Sequence, residues 1–373
     1  MDWSKGYSAT YYAARVDPVT WQDVERFEIT GGTVKRGSDA LRESAGIKCV
    51  GHQIEVEQWV RVYMDTRQNG DAGHTAIFTG VASTPDLTRD KSRPETDLAC
   101  YSVLKPVDDI LLPRGWYASA GRQGGEVLKE LLSATPAPVV IAESSPRLTE
   151  SIIAEDGETR LTMVDRVLEA IDWRIRIDGD GTVEVVPKPL APVVAFDPIE
   201  NDVIEPGVEI TADWYACPNV FMAVADDLTG VARDESDGPL SVKGRGREIW
   251  AYEGSADLAS NESIGQYAMR KLKELQQVAK EVSYSRRYFP NVVPTDAVRM
   301  HYADVEGVFT IESQSVELSY NGRTAETLVG AAIGMNTTER SEEVNIVRLV
   351  DAGYDYLVTA DNDYLVGLVV ERS

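Results

Sequence analysis

Histidine and cysteine are scarce in this chain, with three of each among 373 residues. Cys49, Cys100 and Cys217 are odd in number, widely spaced and set in apolar contexts ("IKCVG", "LACYSVL", "YACPNVF"). That spacing gives neither a disulfide framework nor a zinc site, and free cysteine is among the most buried residue types. All three are therefore expected as small core hydrophobes. His52, His74 and His301 never fall at the i, i+4 spacing of H-E-x-x-H, so a histidine-based metal site or triad would have to be assembled across domains.

Long apolar runs are missing too. A stretch such as residues 364–370 (YLVGLVV) is far short of the roughly 20 residues that span a bilayer, so no membrane span is expected. The first residues carry no basic n-region followed by an apolar h-region, which predicts synthesis in the cytoplasm. Basic charge is in deficit: 37 Lys and Arg against 61 Asp and Glu, a net charge of −24. Nucleic-acid affinity comes largely from Lys and Arg displacing counterions, so specific nucleic-acid binding is not expected. A polyanion could still pass such a surface without sticking.

Apolar residues at 43% and charged residues at 26% describe a folded chain, and its length allows two to four domains. Residues 1–118 alternate apolar and polar positions in "FEITGGTVKR", "AGIKCV", "HTAIFTGVAST" and "DLACYSVL", broken by Gly, Asp and Asn clusters. Such short strands predict a small barrel or sandwich. Over 119–190 the pattern becomes α+β. One helix carries Val127, Leu128, Leu131 and Leu132; a second carries Val164, Val167, Leu168 and Ile171, with Thr162 as its N-cap. The stretch "WRIRIDGDGTVEVVP" then reads as a hairpin turning at Asp178-Gly-Asp-Gly181.

Pro187, Pro189, Pro192, Pro198 and Pro206 crowd the next stretch and predict an extended connector over 191–210. Strand patterns resume over 211–335, interrupted by an amphipathic helix at 261–282. Asn261 would cap it, and Ile264, Ala268, Leu272, Leu275, Ala279 and Val282 form its apolar face. A polar linker and a β-hairpin tail fill 336–373. There Leu349-Val350, Leu357-Val358 and Leu365-Val366 recur every eight residues, and Tyr356, Val358, Tyr364 and Val366 share similar strand faces. An isolated two-stranded hairpin is marginal in water, so these four residues are the candidate partner-docking set.

Recognisable chemistry is sparse. There is no G-x-S-x-G elbow and no Walker A sequence; "KGRGRE" at 243–248 reads as a surface loop. "DGDGTVE" lacks the later ligands and flanking helices of a calcium loop. Carboxylate pairs at glycosidase spacing would arise by chance among so many acids, and sequence singles none out. Trp59, Trp116, Trp173, Trp214 and Trp250 could build a carbohydrate platform, although strand-borne tryptophans more often fill a core. No catalytic residue, metal or cofactor is assigned.

The order of parts nevertheless resembles one family. A β-barrel runs into "IFTGVASTPDLTRDKS" and "LACYSVLKPVDDILLPRGWYASAG". Next come "TRLTMVDRVLEAIDWRIRIDGDGTVEVVPKP", the amphipathic helix and "VSYSRRYFPNVVPTDAVRMHY". This is similar to the baseplate-hub or tail-tip hub proteins of tailed bacteriophages and contractile injection machines, over roughly residues 20 to 335. The resemblance implies a β-rich α+β multidomain chain with two small hub β-barrels separated by an α+β domain. It implies a homotrimeric, non-enzymatic structural ring in the virion tail tip. That ring adapts a hexameric tail tube to a three-fold tip and leaves a channel for DNA ejection. Implied partners are tail-tube or distal-tail proteins, tip, spike or fibre proteins, and a tape-measure protein. The alternative is a tail-associated cell-wall glycoside hydrolase or carbohydrate-binding protein.

Overall fold

The computed structural model describes residues 2–330, apart from 38–40, 51–56, 90–93, 190–191, 198–202, 213–214, 216, 226–227, 257, 259–261, 278–279, 304 and 321. The docking candidates Tyr356, Val358, Tyr364 and Val366 lie outside the described residues, as do His52, Trp214 and Asn261. Two compact units are present. One comprises Met1–Ile210 and Glu281–Val329; the described part of the other is essentially Thr211–Lys280.

The first unit begins with β1 (Ser8–Val16), β2 (Asp23–Arg36), β3 (Glu43–Val50), β4 (Gln58–Gln68), β5 (Asp71–Arg89) and β6 (Pro94–Ser102). Their antiparallel pairings run β1-β4-β5-β6-β3-β2, and β2 pairs back onto β1, so the six strands close on themselves. Period-two alternation is what makes this possible. Ala45, Ile47 and Cys49 on β3, and Val60, Val62 and Met64 on β4, point into one apolar core with Phe78, Leu98 and Cys100. Closure leaves these strands no free edge in the ring.

Residues 103–118, expected as the end of the barrel region, join the α+β segment instead. Val103, Leu104, Val107 and Leu112 share the core of the helices that follow. The elements here are α1 (Lys105–Asp108), β7 (Tyr117–Ala118), α2 (Gly124–Leu131), β8 (Val139–Ile141), β9 (Ile152–Ile153), α3 (Arg160–Ala170), β10 (Trp173–Ile177) and β11 (Val183–Pro187). Val127, Leu128 and Leu131 of α2 are buried, as are Val164, Val167 and Leu168 of α3. The cap of α3 is Thr159, not Thr162: the Thr159 hydroxyl accepts the Thr162 backbone N–H at 3.1 Å. A cap residue must itself be extended, and Thr159 has that backbone.

The proline-rich stretch is not merely a connector. It supplies β12 (Val194–Phe196) and β13 (Ile204–Ala212) to a sheet completed by the later β17 (Lys280–Arg287), β18 (Ala297–Tyr302), β19 (Val305–Glu317) and β20 (Arg323–Gly330). Both strands are edges, β12 lying between prolines and β13 carrying Pro206: β12 pairs only β18 and β13 only β17 among the described strands, so a missing N–H costs no ladder bond on the open side. The C-terminal end of β19 also pairs with β2, Gln314–Glu317 against Arg36–Thr33, which joins this sheet to the closed ring.

Between β13 and β17 the second unit carries β14 (Val220–Ala225), β15 (Leu228–Arg233), the short α4 (Val242–Arg245), β16 (Trp250–Glu253) and α5 (Ile264–Gln277). Strands 211–335 are therefore not one barrel, because 211–280 has its own core of Phe221, Ala223, Ala232, Ile264, Tyr267, Ala268 and Leu272. The amphipathic helix is real but shorter than 261–282. Val282, read as its last apolar position, belongs to β17 and faces Leu328.

Candidate functional site

Within the first unit the parts meet at a joint built from polar groups. At its centre a row of buried polar side chains crosses five adjacent strands. Glu43 on β3 faces Arg36 on β2, and Arg36 faces Gln314 on β19. Gln314 Nε2 donates to Glu326 Oε1 on β20 at 2.5 Å, and Glu326 faces Tyr284 on β17. Arg286 closes the row with a two-pronged grip on Glu326, Nε to Oε2 at 2.8 Å and Nη2 to Oε1 at 2.5 Å. The Tyr284 hydroxyl donates to the same carboxylate. Both ions are almost wholly inaccessible, with side chains 1% and 0% exposed. A buried pair is tolerated only when its remaining hydrogen-bond capacity is filled, and Tyr284 and Gln314 do that here.

The other end of the row is less complete. Arg36 Nε lies 3.5 Å from Glu43 Oε2, while Glu43 Oε1 has no hydrogen-bond partner among the described residues. Burial pushes the Glu43 carboxyl up to about 8, with Arg36 pulling the other way. Desolvation dominates because the charge on Glu43 has one imperfect partner.

The second part of the joint is the turn Asp178-Gly-Asp-Gly181. Its tip lies on β5 so closely that a Cβ on Gly179 would fall 1.9 Å from the Ala76 carbonyl oxygen. Gly181, at φ +86°, would meet Thr79 and Trp21. Three side chains hold the turn: Thr79 Oγ1 donates to Gly179 O at 2.8 Å, and Arg61 Nη2 and Trp21 Nε1 each donate to Asp180 O at 3.0 Å. Trp21 reaches it from a left-handed backbone, φ 57°, stabilised by its N–H to Asp17 O at 2.8 Å. Asp180 caps the Thr182 N–H at 3.0 Å, so this carboxylate is spent on the turn itself.

Two arginines of β10 complete the joint. Arg174 donates to Asp296 Oδ1 at 2.7 Å and to Thr295 Oγ1 at 2.9 Å, and Arg176 donates to Asn291 O at 2.8 Å. Sequence reading missed this network, yet one signal for it existed. Arg286 stands in phase with the buried Val282, Tyr284 and Tyr288, so alternation alone puts a charge on the inward face. Nothing local in the sequence announces the pairing of β2 with β19.

The histidines and tryptophans disperse. His74 lies on the outside of the ring, with Asp65 Oδ1 at 2.7 Å from its Nδ1 and its ring near-parallel to Tyr63 at 4.6 Å. His301 is half-exposed beside Asp197. Trp59 and Trp173 fill the core, Trp116 packs against it, and Trp250 is exposed. All three cysteines are buried. Among the described residues no group of His, Cys, Asp and Glu could hold a metal ion, and no helix is long and apolar enough to cross a membrane.

A cleft of about 900 Å³ opens within the first unit, lined by Ser285, Ser313, Ser315 and Thr327 beside Lys35 and an Arg323–Glu205 ion pair. Arg36, Glu43, Tyr284, Gln314 and Glu326 of the polar row line the same cleft, so small hydroxyls and ion pairs offer hydrogen bonds there.

No family model and no curated protein matches the sequence. Solved structures do match the fold. A tail protein from Neisseria meningitidis superposes with a TM-score of 0.62 at 16% identity, covering 88% of this chain and 98% of that one. The 43 kDa tail protein of prophage MuSo2 from Shewanella oneidensis gives 0.61 at 12% identity, with 88% and 97% covered. Prophage tail protein gp18 from Listeria monocytogenes gives 0.54 at 12% identity, with 86% and 94% covered. The chain thus has the fold of phage tail proteins, the class that the order of its motifs resembles.

Proposed function

We propose that this chain is a structural hub of a phage tail tip or baseplate. The carrying observation is the likeness of fold over nearly the full length of two tail proteins, 98% and 97% of their chains. In this reading three copies form a ring. The closed six-stranded barrel and the sheet of β12, β13 and β17–β20 act as two similar barrels per chain, which presents a six-fold-like face to a tail tube and a three-fold face to the tip. A fold whose central Arg286–Glu326 pair is engaged in structural pairing, with a cleft lined by small hydroxyls and charged side chains, suits assembly through interfaces.

In the assembled tail, DNA crosses the central channel without specific contacts. Distal-tail or tube proteins, a tape-measure protein and tip or fibre proteins are the neighbours. The C-terminal residues Tyr356, Val358, Tyr364 and Val366 form a strand module that docks onto a partner surface. Electron microscopy of assembled particles tests this: density for three copies around the tail axis at the distal end is the expected result. Absence of the chain from purified particles, or a strictly monomeric mass there, overturns it. A clearing zone on cell-wall zymograms, lost on substituting a single carboxylate, would instead establish the hydrolase alternative.

A further inference from the structure

Ahead of β1 the chain makes a closed turn. The Asp2 carboxylate accepts the Ser4 N–H at 3.1 Å and the Ser4 hydroxyl at 2.5 Å. The Lys5 N–H donates to Asp2 O at 3.1 Å, and Lys5 Nζ lies 3.1 Å from Asp2 Oδ2. An aspartate that bonds the backbone two residues on folds an Asx turn, so these residues hold their shape through local contacts.

One side chain of the ring receives the turn. Gln68, the last residue of β4 and buried, accepts the Asp2 N–H on Oε1 at 2.8 Å. Its Nε2 donates to three carbonyl oxygens, those of Asp2 at 2.7 Å, Gly6 at 3.2 Å and Lys5 at 3.3 Å. From the other sheet Arg287, at the end of β17, donates Nη2 to Ser4 O at 2.9 Å. Residues 2–6 therefore strap the ring to the sheet that holds β17, at a different place from the β2–β19 pairing.

The fastening is polar and concentrated. Trp3 is the one apolar side chain of residues 2–6, and it is only partly buried, edge-on to Tyr7 at 5.3 Å. Asp2, Lys5 and Gly6 are exposed. From Tyr7 onward the chain is anchored differently: Tyr7, Ala9 and Ala13 lie in the core, the Tyr7 hydroxyl donates to Tyr288 O at 2.9 Å and the Ala9 N–H to Tyr320 O at 2.8 Å. Segments with few buried apolar contacts open locally at a fraction of the free energy of global unfolding. We infer that residues 2–6 form a releasable strap, held shut by Gln68 and Arg287, which opens while the ring and the sheet beside it stay folded. Gln68 controls it, because a single carboxamide grips the turn at both ends. This device stands apart from the hub reading and survives or fails independently of it.

Limited trypsin digestion of the full chain, followed by mass spectrometry, tests the inference. The Lys5 side chain is 70% exposed, so the closed strap presents the residue but not the extended backbone that a protease needs. Cleavage then follows the population of the open form. In the wild type the cut after Lys5 should proceed at a rate that urea well below the unfolding transition leaves unchanged, as local opening requires. Gln68→Met, which keeps the volume and removes the bonds, should speed the cut by about tenfold, and Arg287→Met by about threefold, each lost hydrogen bond shifting the opening several-fold. Urea midpoints should stay near that of the wild type. A cut whose rate climbs with urea in step with global unfolding overturns the inference, because residues 2–6 would then belong to the cooperative core. So does a Gln68→Met chain of wild-type midpoint cut at the wild-type rate, and so does wild-type cleavage as fast as that of a free peptide of residues 1–12. If Gln68→Met fails to fold, the urea dependence of the wild type and the Arg287→Met rate decide.

Discussion

Thr79 donates its hydroxyl to the carbonyl oxygen of Gly179 at 2.8 Å, although 100 residues separate them. That bond is one of three by which the barrel holds the tip of the β10–β11 hairpin. It makes the glycine a contact residue as well as a turn residue.

Gly179→Ala should therefore be costly. The new Cβ would meet the Ala76 carbonyl at 1.9 Å and the Ile77 nitrogen at 2.8 Å, backbone atoms of a paired strand that cannot step aside. Overpacking of this kind costs about 1–3 kcal/mol. Asp180→Ala keeps the carbonyl that Arg61 and Trp21 hold and loses only the cap on Thr182, so it should cost under about 1 kcal/mol. Urea midpoints of the two variants decide whether the turn is a clamp or an ordinary hairpin end; equal midpoints would count against the clamp.

Glu326→Ala should be among the most damaging single changes in the first unit. It leaves Arg286 buried without its counter-ion and removes the acceptor of Tyr284 and Gln314. Breaking a buried pair from one side costs about 3–5 kcal/mol. Replacing both partners by apolar residues of similar volume, Arg286→Met with Glu326→Leu, should recover most of that loss. A double variant no more stable than Glu326→Ala would mean that the row contributes geometry rather than charge pairing.

Thr159→Ala should destabilise by about 1 kcal/mol, because its hydroxyl caps the first turn of α3. Thr162→Ala, at the position that sequence pattern favours as the cap, should change stability by under about 0.5 kcal/mol. Thermal melts of the two variants separate them directly.

This pair of threonines shows how far the sequence could be read. The helix and its buried face were legible because Val164, Val167 and Leu168 recur at helical spacing, but the start slipped by three residues since either threonine offers the same chemistry. The hairpin at Asp178–Gly181 was legible for a similarly local reason. Its role as a clamp was not, because the receiving groups, Trp21, Arg61 and Thr79, come from distant strands. Non-local pairing also hid the true grouping of strands. Nothing near Pro192 or Pro206 says that β12 and β13 are edges of a sheet whose other members begin about 70 residues later. The buried polar row was half-legible, through Arg286 in the inward phase of β17.

Glu43 should make the stability of the first unit depend on pH in a direction opposite to that of an ordinary ion-paired carboxylate. Its carboxyl is pushed from 4.5 up to about 8 in the folded chain, because burial outweighs the pull of Arg36. Between these two values the native state binds a proton that the unfolded state has released, so stability falls as pH rises through that window. The loss is at most about 1.4 kcal/mol per pH unit, and smaller to the degree that Arg36 retains its hold. Asp178 and Glu184 are also raised by burial, so the total slope is not due to Glu43 alone. Glu43→Gln isolates its share. The amide is fixed in the neutral state, so the variant should match the wild type near pH 5 and exceed it near pH 8. Denaturation midpoints of both proteins at those two pH values settle the point, and a Glu43→Gln chain that is less stable than wild type at pH 8 would show that the ionised pair with Arg36 wins over desolvation.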